Sequence, residues 1–388
     1  MIVKAHTKCF QDPYSPENPK GYLSMGIAEN MIIEDLIEKK LSEENVSSSD
    51  YHHYNASFGI LKARESFCDY LEEFFCAGSY DPENVVLASG ATTILEILSY
   101  VLIDEGDSIG IHAPYYTGFE MDLALRFKGE LVSFETENIE DLFTKASLTI
   151  EFLKEKKPKV FVLCHPHNPT GKCFNPEVLK EIIEFCHEQK IHLISDEVYA
   201  GTVLTKKEKF KSGFHFSKKS PYFHFVYSMA KDFALGGMKI GFLYTENPDV
   251  LKACRGVSYF STPSTQSQLL MASLLSDEKW VSGLRQEVQK RLEKTFTKMR
   301  TKLLERHNFA YIVPEHGFFV FVDFTPLKKQ LKIETDLDLF HYLIDEMKIN
   351  ILPANFFGLS ERGYFRLCFA RADDLLEEMF SRFDNVLK

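Results

Sequence analysis

The sequence has no run of some eighteen apolar residues, and its start, Met1-Ile-Val-Lys-Ala-His-Thr-Lys, carries no long apolar stretch of the secretory kind. A membrane-spanning or exported protein is set aside, and a soluble, cytoplasmic one is expected. Positive charge is also scarce, with 45 Lys+Arg against 56 Asp+Glu and a formal net charge of −11. No basic stripe with interleaved aromatics occurs, so neither nucleic acid nor an anionic membrane is an expected partner. The short runs Lys154-Glu-Lys-Lys-Pro-Lys159 and Lys206-Lys-Glu-Lys209 read as solvated loops. The eight cysteines include no C-x-x-C pair, and several sit in apolar runs, as Cys164 does in Val160-Phe-Val-Leu-Cys164. Buried thiols in a reducing compartment are expected, and no metal site. Internal repeats and low-complexity segments are lacking too. At 45% apolar and 26% charged, the 388 residues have an ordinary globular composition and are enough for two domains.

What is present is an alternation. After a loop-rich, proline-punctuated first stretch (Pro13, Pro16, Pro19), helical spacing appears over Met31 to Leu41 and Gly59 to Phe75. Strands follow at Val85 to Ala88, Ser108 to His112, Lys159 to Cys164, Ile191 to Ser195, Tyr222 to Tyr227 and Ile240 to Tyr244, with a helix over Pro176 to Gln189. The region Leu131 to Ala146 reads as loop plus short elements. This predicts an α/β protein: a mostly parallel sheet flanked by helices, then a smaller α+β unit containing strands Phe318 to Asp323 and Tyr364 to Phe369. Three divisions are expected: residues 1–45 as an arm and helix joining the small domain, 46–275 as the large domain, and 276–388 as the small one.

Polar clusters recur at the strand ends, where such sheets collect ligands. Ser89-Gly90-Ala91-Thr92 opens a helix, whose unpaired N–H groups suit a phosphate, or is simply a capped turn. Pro114-Tyr-Tyr116 offers a stacking face or turn aromatics. His165-Pro-His-Asn-Pro-Thr-Gly171 and Ser195-Asp-Glu-Val-Tyr199 end two further strands. In Tyr227-Ser-Met-Ala-Lys-Asp-Phe-Ala-Leu-Gly-Gly-Met-Lys-Ile-Gly241, Lys231 lies between two strands, either a surface lysine beside a turn or an amine placed to form a Schiff base. Taken singly, Asn168 can be a turn former, Asp196 a helix cap, Arg366 a surface arginine and Glu29-Asn30 a capping pair.

Taken in order, the clusters resemble the fold-type-I pyridoxal-phosphate enzymes, specifically the class I/II aminotransferases and their 1-aminocyclopropane-1-carboxylate (ACC) synthase-like branch. The resemblance runs from Gly21 to Arg366. It implies pyridoxal 5'-phosphate as cofactor, an amino-acid-like substrate and a homodimer. It matches Lys231 to the Schiff-base lysine and Cα base, Asp196 to the partner of the pyridinium nitrogen, and Tyr199 with Asn168 to the pair on the ring oxygen. Ala91, Thr92, Ser228 and Lys239 fall on the phosphate cradle, Tyr116 rather than Tyr115 on the stacking ring, and Arg366 on the arginine that takes the substrate α-carboxylate. Asn168 also reaches the substrate, and Glu29 matches a glutamate near it. Two departures stand out: Lys239 occupies the place of an arginine, and in Tyr51-His-His-Tyr-Asn-Ala-Ser57 the place of an interface-crossing tyrosine falls on Asn55, one step from Tyr54. An aminotransferase-type reaction at Cα is expected, with ACC synthase-type chemistry on S-adenosylmethionine as the alternative and a catalytically silent interaction protein as a third reading.

Overall fold

Val85–Ala88, Val160–Cys164, Phe223–Ser228 and Gly241–Thr245 are buried at every position, as strands covered on both faces are. In the computed structural model, which describes residues 1–47, 49–75, 78–126, 129–205 and 210–387, they belong to a seven-stranded sheet. Its order is Val85–Ala88, Gly241–Thr245, Phe223–Ser228, His192–Asp196, Val160–Cys164, Ser108–His112, Glu130–Phe134. Gly241–Thr245 pairs antiparallel with both neighbours, while the remaining pairs are parallel. The parallel strands therefore end together: Asp196 stands beside Cys164 and Val226, and Ser228 beside Gly241. Helices cover the faces with apolar stripes, as Pro176–Gln189 does with Val178, Leu179, Ile182, Ile183 and Cys186.

A second, antiparallel sheet holds Leu352–Pro353, Tyr364–Cys368, Phe319–Asp323 and Tyr311–Ile312. Arg366 lies in its middle, opposite Phe321 on one side and Leu352 on the other. The chain near the N-terminus is seated against this region. Leu23–Ser24 pairs in parallel with Ile349–Asn350, Cys368 N–H donates to Met25 O at 2.9 Å, and Met31 N–H donates to Ala370 O at 3.2 Å. Residues 25–31 are thereby carried across the end of the large sheet. No helix among the described residues is long and apolar enough to cross a membrane.

Three local expectations are corrected. The first stretch is not all loop, because Ile2–Gln11 is a helix whose Ala5 and Cys9, one turn apart, are buried; the prolines come after it. Glu130–Phe134 is a strand: it pairs on one side only, with Ser108–His112, and its half-exposed residues leave no apolar run to read. Lys154–Lys156 are not loop but the last turn of helix Ala146–Lys156, which Lys157 closes in the left-handed region. Cys76 and the Lys206-Lys-Glu-Lys209 run lie outside the described residues.

Candidate active site

The strand ends, the N-terminal segment and the second sheet enclose a cavity of about 630 Å³, and all eleven site residues expected from the sequence line it. One wall is the start of helix Ala91–Leu102. Gly90 precedes it at φ +97, a conformation that glycine takes without strain, so the strand turns directly into the helix and the Ala91 and Thr92 amides open toward the cavity edge. Lys239, also left-handed at φ +54, brings its amine alongside Gly90. Ser228 Oγ accepts from Ala230 N–H at 3.1 Å and so caps the short Met229–Asp232 helix, which leaves its own O–H to donate elsewhere.

Lys231 projects from that helix. Its Nζ donates to Ala28 O at 2.7 Å and lies 5.9 Å from the centre of the Tyr199 ring. Burial, followed by the positive charge of Arg366, pushes its amine down to about 8. Asp196 is 5% exposed, and Oδ1 accepts from Val198 N–H at 3.3 Å. Burial pushes this carboxyl up to about 7. A cation set against it would lower that value again.

Arg366, 3% exposed, is held by its own surroundings: Nη1 donates to Asn168 Oδ1 at 2.9 Å, Nη2 donates to Gly26 O, and the guanidinium lies over the Phe357 and Phe319 rings at 5.0 and 5.5 Å. Asn168 Nδ2 in turn donates to Tyr199 Oη at 3.4 Å. Among the described residues no carboxylate forms an ion pair with Arg366. A buried, uncompensated guanidinium facing a cavity is a costly arrangement unless an anion completes it.

Of the two adjacent tyrosines, Tyr116 lines the cavity and packs edge-on to Phe119. Tyr115 instead packs beside Gly358 and donates to Glu120 Oε1 at 2.9 Å. Glu29 sits at the mouth with its carboxylate 3.6 Å from Arg371 Nη1. Tyr54 is fully exposed, and the Asn55 amide donates to Asp50 O and Thr265 Oγ1; neither residue lines the cavity.

Several residues at the cavity were not expected from the sequence. Asp122 accepts from Thr92 Oγ1 at 3.3 Å, and burial pushes its carboxyl up to about 6. His6 reaches the cavity from the unforeseen N-terminal helix, and Glu34 stands at the mouth near Glu29. Ala5 and Cys9 at helical spacing were the available sign for His6; Asp122, in a short irregular turn, offered none.

The sheet order and crossover helices are those of the fold-type-I, pyridoxal-phosphate-dependent enzymes, and a lysine, a buried carboxylate and an arginine share one cavity at the strand ends. The pattern described as aminotransferase class I and II matches residues 23–383, and the chain belongs to that family. Curated relatives include 1-aminocyclopropane-1-carboxylate synthase of Nicotiana tabacum, 32% identical over 94% of this chain and 78% of that protein. Another is 1-aminocyclopropane-1-carboxylate synthase 2 of Solanum lycopersicum, 31% identical over 94% and 79%. Among solved structures, aspartate aminotransferase from Thermus thermophilus with maleate aligns with a TM-score of 0.81 at 20% identity, covering 99% of this chain and 96% of that one. Aromatic aminotransferase from Pyrococcus horikoshii gives 0.79 at 21%, covering 100% and 98%. These two likenesses are of fold.

Proposed function

We propose that the protein acts at Cα of an α-amino acid and exchanges its amino group with a 2-oxo acid. The observation that carries this reading is Arg366: a buried guanidinium with no carboxylate partner among the described residues, in the same cavity as the Lys231 amine. A planar fork of this kind suits an α-carboxylate, and the Asn168 and Gly26 bonds fix its plane. The residues suit pyridoxal phosphate as well. Helix start 91–92, Thr92, Ser228 and Lys239 would hold the phosphate, Asp196 the ring nitrogen, Tyr199 with Asn168 the ring oxygen, and Tyr116 the ring face. Bound there, pyridoxal phosphate supplies a carbonyl carbon for the amine and an electron sink for the charge left at Cα.

The chain's own groups do the rest. Arg366 orients the substrate by its carboxylate, so that the Cα–H is presented to Lys231. With its amine lowered to about 8, Lys231 is neutral in a usable fraction near neutral pH and takes the Cα proton on Nζ. Glu29 and Glu34, both at the mouth, disfavour a substrate with a second carboxylate. On this reading residues 46–275 hold the cofactor, while 1–45 and 276–388 bring the substrate site. A homodimer is part of the proposal, supported by the exposed aromatic residues Tyr54, Tyr259 and Phe260. Sedimentation at the 44.7 kDa of one chain would count against it.

A second reading is ACC synthase-type chemistry on S-adenosylmethionine, favoured by the named relatives and by Glu29 at the mouth. Two incubations separate the readings: S-adenosylmethionine, followed for methylthioadenosine, and amino acids with a 2-oxo acid, followed for amino-group exchange. Exchange is the expected result; methylthioadenosine without exchange overturns it.

A further inference from the structure

Beside Lys231 in the chain stands a buried carboxylate to which this chemistry gives no role. Lys231 extends into the cavity toward Ala28 O, whereas Asp232, 6% exposed, reaches the segment that follows Asp196. Its Oδ2 accepts two hydrogen bonds, from Gly201 N–H at 2.7 Å and from Tyr227 Oη at 2.7 Å, and Tyr227 Oη is 2.9 Å from Tyr70 Oη. Gly201 belongs to the turns that follow Asp196 and carry Tyr199, in which Ala200 N–H donates to Glu197 O and Thr202 N–H to Tyr199 O. One oxygen thus bridges the segment bearing Lys231 and the segment bearing Tyr199.

The bridge depends on a close approach. A Cβ at position 201 would fall well inside contact distance of Asp232 Oδ2, so a side chain there would displace the carboxylate. The arrangement is also expensive. Asp232 Oδ1 is buried with no hydrogen-bond partner among the described residues, and its burial is offset in part by the charge of Arg285, which is packed on the Phe74 and Phe75 rings. A buried acid with one unsatisfied oxygen is a poor way to gain stability, since an apolar side chain would avoid the desolvation. What it contributes is geometry.

We infer that Asp232 is a positioning residue: its carboxylate pins the Lys231 turn to the Tyr199 turn and so fixes where the Lys231 amine stands relative to Asp196 and Tyr199. The inference rests on the reading of Lys231 as the lysine that carries the cofactor.

The test is the pH titration of the visible absorbance of the lysine-bound cofactor in the holoenzyme, with kcat and KM measured alongside. Asp232→Ala is expected to move the titration midpoint by about half a unit or more, and to lower kcat by roughly tenfold with KM for the amino acid within about threefold. Gly201→Ala displaces the same carboxylate and is expected to give the same shift, while the two changes together add little to either alone. Asp232→Asn keeps one acceptor oxygen and should fall between wild type and Asp232→Ala. If Asp232→Ala takes up no cofactor, Tyr227→Phe, which removes one of the two bonds, is measured instead and is expected to give a smaller shift. An unmoved midpoint in a folded variant, or fully additive effects of Asp232→Ala and Gly201→Ala, overturns the inference. Lys231→Ala separates the two levels. Absorbance that survives it defeats the reading of Lys231, whereas absorbance lost there with the Asp232→Ala midpoint unmoved defeats only the role of Asp232.

Discussion

The cavity has two cationic ends, and they are built differently. At one end a single arginine, Arg366, is locked by Asn168, by Gly26 O and by two aromatic rings. At the other, the Lys239 amine shares its place with the start of a twelve-residue helix, with Thr92 and with Ser228, and a buried acid, Asp122, accepts from Thr92. The first end concentrates recognition in one planar group whose geometry is set in advance. The second spreads it over several groups. On the proposed reading the substrate carboxylate meets the first end and the cofactor phosphate the second, so substitutions should cost far more at the Arg366 end.

The largest effect is expected between the ends. Lys231→Ala should remove the visible absorbance of the bound cofactor and lower turnover by roughly a thousandfold or more; retained absorbance would break the whole arrangement. Next, Arg366→Ala should lower kcat/KM by roughly a hundred- to a thousandfold, as charge-assisted bonds of about 1.5–3 kcal/mol each are lost. Arg366→Lys restores charge without the fork and should still cost roughly tenfold or more. By contrast, Lys239→Ala should weaken cofactor binding by only about tenfold, because the helix start and hydroxyls remain. Equal losses at the two ends, measured by substrate kinetics and cofactor titration, would erase the distinction.

A smaller effect concerns pH. Asp196 and Asp232 are pushed up to about 7 and Asp122 to about 6, each chiefly by burial. Because the folded chain holds these protons more tightly than the unfolded one, the stability they contribute is full below the ordinary carboxylate range, near pH 4, and is lost as pH rises toward 7. The melting temperature of the cofactor-free protein should therefore fall across that window, by a few degrees. Asp196→Asn should flatten the slope; an unchanged slope would remove Asp196 from the account.

Much of this was legible in the chain because the sheet ends place chemistry where apolar runs stop. Val160 to Cys164 breaks into His165-Pro-His-Asn168, and the strand ending at Asp196 breaks into Glu-Val-Tyr199, so each motif announced its own position. What could not be read depends on partners distant in sequence or on weak local pattern. Asp232 lay inside the Lys231 stretch, yet its partner Gly201 is 31 residues away and joins it only through the fold. Glu130–Phe134 is an edge strand with no fully buried residue, and His6 sits on a helix that reads as a tail unless Ala5 and Cys9 are seen to share a face. The tyrosine that sequence spacing sought near Asn55 is not in the cavity of this chain, where both Tyr54 and Asn55 face outward.

The finest test of the comparison is Lys239→Arg, which gives the second end the same kind of group as the first. A guanidinium offers a planar fork where the ammonium offers a point charge, and against phosphate oxygens the fork is the better match. Yet Lys239 occupies a left-handed position beside Gly90, and among the described residues nothing plays the part that Asn168 and Gly26 O play in fixing the plane of Arg366. Without that support most of the geometric advantage is spent on ordering a longer side chain. The variant should bind pyridoxal phosphate only about two- to fivefold more tightly, with kcat unchanged within about twofold. A gain of roughly a hundredfold would mean that the phosphate end, too, was one well-placed arginine short of the other end's design, and the contrast between spread and concentrated recognition would fall.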